Sequence, residues 1–259
     1  MLRDSVAGGS TTEFKDHFSG HADAYAKFRP QYPDELFRFL ASSSPANQLA
    51  WDCATGNGQA AIVLAHWFER VIATDASENQ IANAEANSRV EYRVAPAERS
   101  GIEAETSVDL VTVAQALHWF DLERFYAEVR RVLKPDGVLA AWTYKLASVT
   151  PSIDAIVNHY YSGVVGAYWP AERVLVEKFE ELAFPFPEMA APRFQMEAEW
   201  NVDRMIGYLR TWSATQRFMA ANQRDPLEAL ENELRSAWSD AGESRRVVWP
   251  LTVRVGRVV

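Results

Sequence analysis

Cysteine is almost absent from this chain: Cys53 stands alone among 259 residues. A lone cysteine excludes an intrachain disulfide and fits a reducing compartment. It also weakens any zinc reading, because the five histidines, at 17, 21, 66, 118 and 159, share no ligand spacing with it or with each other. An excess of basic charge is missing too. Lys and Arg number 26 against 35 Asp and Glu, for a net charge of −9. A sequence-independent nucleic-acid binder needs a basic surface to displace counterions, so the balance argues against that class, while a local basic pocket for an acidic small molecule is not excluded. No run of about 18 apolar residues is present to span a bilayer. Met1–Thr12 is small and polar, without the apolar stretch of a signal peptide. The expectation is a soluble, cytoplasmic monomer or homodimer with no metal, nucleic-acid or membrane partner. No G-x-S-x-G elbow and no lysine-bearing phosphate loop occurs, which leaves hydrolase and kinase chemistry without support.

What is present is a rhythm. Five short apolar runs, Leu49–Cys53, Val71–Asp75, Val90–Ala95, Val108–Ala114 and Val138–Tyr144, alternate with segments of helical character. Their nearly continuous apolarity suits strands covered on both faces. Alternation of this kind predicts a doubly wound, Rossmann-like, mostly parallel α/β sheet with helices on both faces. Asp121 caps a predicted helix carrying Leu122, Phe125, Tyr126, Val129, Val132 and Leu133 at helical spacing, and Pro135-Asp136-Gly137 stops it. Ser77 caps another, expected to run to about Ala86. Beyond about residue 150 the rhythm breaks. One or two helices are expected in 151–183, a strand in 193–200, helices in 202–221 and 226–240, and a valine-rich antiparallel strand at the C-terminus. The division that follows is a flexible tail (1–13) and one domain (14–259). Within it, 20–145 form a cofactor-binding core, 146–245 a mainly helical substrate-binding elaboration and 246–259 the final strand.

The first strand runs directly into Asp52-Cys53-Ala54-Thr55-Gly56-Asn57-Gly58-Gln59 and then a helix. Small residues in a strand-to-helix turn let backbone pass close to a ligand, and the helix N-terminus offers unpaired N–H groups. Gly56-x-Gly58-x-x-Ala61 satisfies a loose dinucleotide fingerprint, and Asp75 sits about 20 residues further on, where a ribose-binding acid is expected. Together these report an adenosine-type ligand without naming it. A plain tight turn and a helix-dipole aspartate are the bland alternatives.

Three features narrow the choice. Asp52 precedes the turn as D-x-x-x-G-x-G. The third strand ends in Ala95-Pro96-Ala97-Glu98. The fourth runs into Ala114-Gln115-Ala116-Leu117-His118-Trp119-Phe120, followed by Arg130-Arg131-Val132-Leu133-Lys134-Pro135-Asp136-Gly137-Val138. In that order the motifs resemble those of class I S-adenosylmethionine-dependent methyltransferases, in detail over residues 20–145. Within that family, Tyr25-x-x-x-Arg29-Pro30-x-Tyr32-Pro33, His118-Trp119-Phe120 and Leu209-Arg210-Thr211-Trp212-Ser213 resemble the trans-aconitate methyltransferase-like branch. The resemblance implies S-adenosylmethionine as cofactor and S-adenosylhomocysteine as product. It implies that Ala54, Gly56 and Gly58 wrap the methionine portion with help from Asp52, and that Asp75 holds the ribose hydroxyls. Ala97 and Glu98 would meet adenine, Gln115 would close the site, and Ala76 and Gln80 would touch adenine or ribose. One departure is Ala54, where the family has glycine; alanine suits that position if its φ is negative.

Ligands of open α/β sheets sit beyond the carboxyl ends of the strands. The residues expected to face the methyl group are therefore His118 and Trp119, as the catalytic pair, with Trp142 and Tyr144 at the end of the fifth strand. Tyr25, Arg29, Arg210 and Trp212 are candidates for a lid over a small-molecule acceptor, an organic acid by preference. Arginine holds a carboxylate bidentately and an aromatic face stabilises a sulfonium. A carboxylate acceptor is already ionised and needs no base; for a hydroxyl or amine, His118 would serve, with a pKa near working pH. Each also has a plain reading: packing histidine, core tryptophan, surface ion pair. Two other functions share the cofactor signals, a nicotinamide oxidoreductase and a catalytically silent S-adenosylmethionine-binding regulator.

Overall fold

The computed structural model describes residues 30–240 and 242–258. Along the chain run α1 (Asp34–Ser43), β1 (Leu49–Cys53), α2 (Gln59–Trp67), β2 (Arg70–Asp75), α3 (Glu78–Ala82), β3 (Val90–Val94), β4 (Val108–Ala114), α4 (Leu122–Val132) and β5 (Leu133–Tyr144). Then come α5 (Pro151–His159), α6 (Arg173–Glu177), β6 (Gln195–Trp200), α7 (Val202–Arg210), α8 (Ser213–Asn222), α9 (Leu227–Trp238) and β7 (Arg245–Arg257). The strands form one sheet in the order β3-β2-β1-β4-β5-β7-β6. β1 to β5 are mutually parallel, and β7 lies antiparallel between β5 and β6. The doubly wound, mostly parallel sheet with an antiparallel C-terminal strand is thus observed.

The continuous apolar runs bury both faces of the central strands. On one face Trp51, Cys53, Val111 and Val113 meet Phe125, Tyr126, Val129 and Val132 of α4. On the other, Ala50, Ala73, Leu110 and Trp142 meet Leu36, Phe37 and Leu40 of α1 and Ala60, Ala61 and Leu64 of α2. A third cluster joins Tyr144 and the antiparallel pair β6 and β7 to α5, α7, α8 and α9. Side-chain caps start several of these helices: Asp121 accepts from Arg124 N (3.3 Å), Thr150 from Ile153 N (3.4 Å) and Asn201 from Arg204 N (3.0 Å). Among the described residues no helix is long and apolar enough to cross a membrane.

Several boundaries differ from expectation. α3 stops at Ala82, well short of Ala86, and the Glu85 carbonyl instead accepts the Tyr92 hydroxyl at 2.9 Å. β5 begins at Leu133 rather than Val138, with the Pro135-Asp136-Gly137 turn carried as an irregularity where the pairing with β4 shifts register; Asp136 has φ +62°. The stretch 151–183 breaks into α5, a π turn at Tyr160–Val164, α6 and single 3-10 turns. The stretch 202–221 divides into α7 and α8 at Thr211-Trp212, where Thr211 Oγ1 donates to Tyr208 O (2.7 Å) and Thr215 Oγ1 to Leu209 O (2.9 Å).

Candidate active site

The turn after β1 departs sharply from extended backbone: Ala54, Gly56 and Gly58 have φ of +54°, +58° and +90°. Ala54 therefore occupies the left-handed region, against the expectation of a negative φ, at a cost of about 1 kcal/mol for an L-residue. The hydrogen bonds around it hold it there. Thr55 N donates to Thr74 O at 2.9 Å, locking the turn to β2, and Gly58 N donates to Thr55 O at 3.0 Å. The two glycines serve different ends. A side chain at Gly58 would collide with the Tyr92 ring, whereas at Gly56 the nearest neighbour is Gln80 Oε1 at 3.8 Å. Gly56 thus faces open space beside Gln80, and Gly58 is required by packing.

Asp52 sits behind this turn, 1% exposed. Its carboxylate accepts from Thr55 Oγ1 (2.5 Å) and Thr112 Oγ1 (2.7 Å), as well as from the backbone N–H of Ala61 in α2. Burial pushes its pKa up to about 6, against the lowering effect of those hydrogen bonds; the nearby Asp75 charge adds to the rise. Asp52 organises the turn from inside. Asp75, at the end of β2, faces the other way: Oδ2 accepts from Gly56 N at 2.9 Å and Oδ1 from Ser77 N at 2.8 Å. One carboxylate thereby joins the loops after β1 and β2. Ala76 and Gln80 follow it, Gln80 N bonding to the Ser77 cap at 3.3 Å. Ala97 is buried beyond β3, and Glu98 Oε1 accepts from Asp121 N at 3.0 Å, tying the β3 loop to the start of α4.

Gln115, just past β4, has φ +60°. Its Oε1 accepts from Thr143 Oγ1 at 2.9 Å, which fixes the amide orientation, while its buried Nε2 has no hydrogen-bond partner. A buried unpaired donor is costly unless a ligand meets it. This donor, the open face of Gly56 and the Asp75 carboxylate suit an adenosyl–methionine ligand along the carboxyl edge of the sheet.

A cavity of about 120 Å³ opens beside Gln115. His118, Trp119, Tyr144, Leu146, Trp169, Pro170, Val176, Tyr208, Trp212 and Ser213 line it. Two cations, Lys145 and Arg173, complete the lining, with no carboxylate among the described residues. His118 lies against Trp119, with ring centroids 4.8 Å apart and planes tilted by 41°. Burial, reinforced by the Arg173 charge, lowers its pKa to about 4. It is therefore neutral at physiological pH and a weak base, contrary to the expected value near working pH.

The cavity brings together His118, Trp119, Tyr144 and Trp212 of the expected acceptor residues, with Gln115 at their border. Trp142 does not reach it. Before Tyr144 on the same strand, it is fully buried edge-on against Tyr32 and Phe37. Arg210 turns away as well, pairing with Asp225 through Nε (3.1 Å) and Nη2 (2.7 Å), while Asp225 Oδ1 caps α9 at Leu227 N. Tyr25 and Arg29 lie outside the described residues. Sequence reasoning missed Lys145, Trp169, Arg173 and Tyr208. The only local signal was Trp169-Pro170, an aromatic and a breaker inside an apparent helix. Among the described residues no group of three or more His, Cys, Asp and Glu is placed to hold a metal ion.

Fold and turn together define an α/β protein whose loops at the carboxyl ends of the strands suit an adenosyl-type ligand. The methyltransferase domain family matches residues 51–141. A candidate methyltransferase from Dictyostelium discoideum is 36% identical over 91% of this chain and 92% of its own length. A candidate S-adenosylmethionine-dependent methyltransferase from Saccharomyces cerevisiae is 33% identical over 53% of this chain and half of its own length. Among solved structures, a candidate type II methyltransferase from Anaeromyxobacter dehalogenans is 47% identical, covers 89% of this chain and 98% of its own, and superposes with a TM-score of 0.84. This chain belongs to the class I S-adenosylmethionine-dependent methyltransferase family.

Proposed function

We propose that the protein transfers the methyl group of S-adenosylmethionine to an oxygen of a small carboxylic acid. One observation supports this acceptor class above the others. The cavity beside Gln115 is lined by Lys145 and Arg173, with no carboxylate among the described residues, in a chain whose net charge is −9. Such a lining attracts an anion and repels an amine in its cationic form. When bound, the cofactor supplies a methyl group on a positively charged sulfur. Asp75 and Gln80 would hold its ribose and adenine side, with Ala76, Ala97 and Glu98 around the base. Ala54 and Gly56 would pass close to the methionine portion, with Gln115 Nε2 as a donor at its border.

The chain's own residues then have little proton chemistry to perform. A carboxylate oxygen forms a bond to the methyl carbon while the carbon–sulfur bond breaks, its electron pair staying on sulfur, so no proton has to move. The task is to orient the oxygen and exclude water, for which positioning alone contributes about 7–11 kcal/mol in favourable systems. His118, neutral and set against Trp119, fits a wall of the pocket and a weak hydrogen-bond partner better than a base. The test is a cofactor-consumption assay across carboxylic acids, phenols and amines, with products identified by mass. Methyl esters are expected. N-methyl or phenolic O-methyl products without esters would replace this reading.

A further inference from the structure

Arg173 lines the cavity from α6 and is held in an unusual way. Its Nε donates to the Tyr161 hydroxyl at 3.0 Å, and the same hydroxyl donates to Glu177 Oε1 at 2.7 Å. The phenol thus stands between the guanidinium and the carboxylate that, one helical turn away, would otherwise neutralise it. The guanidinium also lies over the Trp169 ring at 4.9 Å and the Tyr161 ring at 5.5 Å. Trp169 in turn is pinned by its Nε1–H bond to Tyr161 O (3.1 Å), the residue presented by the π turn that follows α5. Among the described residues Arg173 forms no ion pair, and its two Nη groups are not committed to a hydrogen bond. A planar guanidinium fixed by one phenol and one indole, with its outer nitrogens uncommitted, is a preorganised carboxylate receptor.

The rest of the cavity describes the body attached to that carboxylate. Trp119, Tyr144, Trp169, Tyr208 and Trp212 supply aromatic walls, and the volume of about 120 Å³ suits a body of roughly ring size, since an apolar cavity of about 150 Å³ accepts benzene. The second cation, Lys145, is exposed at the rim. We infer that Arg173 is the specificity-determining residue for the acceptor, taking one carboxylate, and that the acceptor is a small monocarboxylate with an apolar body rather than a polyacid. This rests on reading the cavity as the acceptor site.

The experiment is a tryptophan-fluorescence titration of the full chain, saturated with S-adenosylhomocysteine, with cinnamate, its neutral amide and trans-aconitate. Cinnamate should bind, and Arg173→Gln should weaken it about tenfold or more, the loss expected for a hydrogen-bonded charge pair. The amide should bind both proteins alike, and trans-aconitate more weakly than cinnamate. Arg173→Lys, which keeps the charge but loses the fork, should fall between, and Tyr161→Phe should weaken cinnamate without changing affinity for the homocysteine product. A matching melting transition and unchanged product affinity establish that the variants are folded. Equal losses for cinnamate and its amide, or tighter binding of trans-aconitate, would overturn the inference. Ester formation by the wild type that Arg173→Gln leaves intact also overturns it while sparing the proposed reaction. Arg173-dependent cinnamate binding without any ester product supports the receptor and rejects the reaction.

Discussion

Replacing Asp52 by asparagine isolates one charge behind the turn that follows β1. The carboxylate is fully enclosed and accepts from Thr55, Thr112 and the Ala61 N–H, yet burial outweighs these bonds and carries its pKa from 3.8 to about 6. A folded-state pKa above the unfolded one means that the native state binds the proton more tightly. The associated stability is fully present below pH 3.8 and is lost as the pH rises through about 6. The size follows from the displacement: the difference between 3.8 and about 6 corresponds to about 3 kcal/mol. The amide in Asp52→Asn does not titrate. The stability of the variant relative to wild type should therefore rise by about 2–3 kcal/mol between pH 4 and pH 8, whatever the offset at pH 4. Urea denaturation of both proteins at half-unit steps of pH measures this difference, in which other titrating groups cancel. A flat difference, or one that moves against the variant as pH rises, would refute the claim that burial governs this group and show that the three hydrogen bonds prevail.

Gly58→Ala should destabilise the protein through a collision with Tyr92 and a φ of +90°, and adding Tyr92→Phe should restore part of the loss; denaturation midpoints of the single and double variants test this. Arg210→Ala should leave the Michaelis constant for acids unchanged and cost no more than about 1 kcal/mol, as an exposed ion pair does, since its partner is Asp225 and not the cavity; a raised constant for acids alone would return it to the site. His118→Asn should leave the rate of ester formation within a few-fold of wild type from pH 6 to 8, because the imidazole is neutral across that range; a rate that falls by orders of magnitude would make it a catalytic base.

The strands and the tight turn after β1 were legible because parallel strands buried on both faces print continuous apolar runs, and because Gly56, Gly58 and Asp75 occupy spacings that the turn demands. The left-handed Ala54 was not legible, since its conformation comes from Thr55 bonding across to Thr74 and not from the residue itself. Likewise the division of 202–221 depends on two threonine hydroxyls seeking carbonyls of the preceding turn, which leaves no trace in hydrophobic spacing. The proposed acceptor cavity was half visible. His118, Trp119 and Tyr144 lie at or just beyond the ends of β4 and β5, where an open sheet places its ligands, whereas Arg173 and Trp169 enter from the helical segment after β5. Arg210 shows the opposite failure: an arginine beside Trp212 looked like a clamp, but Asp225 claims it.

The central claim is that the turn closing β1 and the acid closing β2 grip an adenosyl sulfonium. Calorimetry of the purified protein with S-adenosylmethionine, S-adenosylhomocysteine and NAD tests it most directly, with Asp75→Ala beside the wild type. The account predicts saturable heat with the first two, none with NAD, and affinity about tenfold or more weaker in the variant from the loss of ribose hydrogen bonds and of the Gly56 tether. No heat with either sulfur compound, or equal affinity in both proteins, would contradict it.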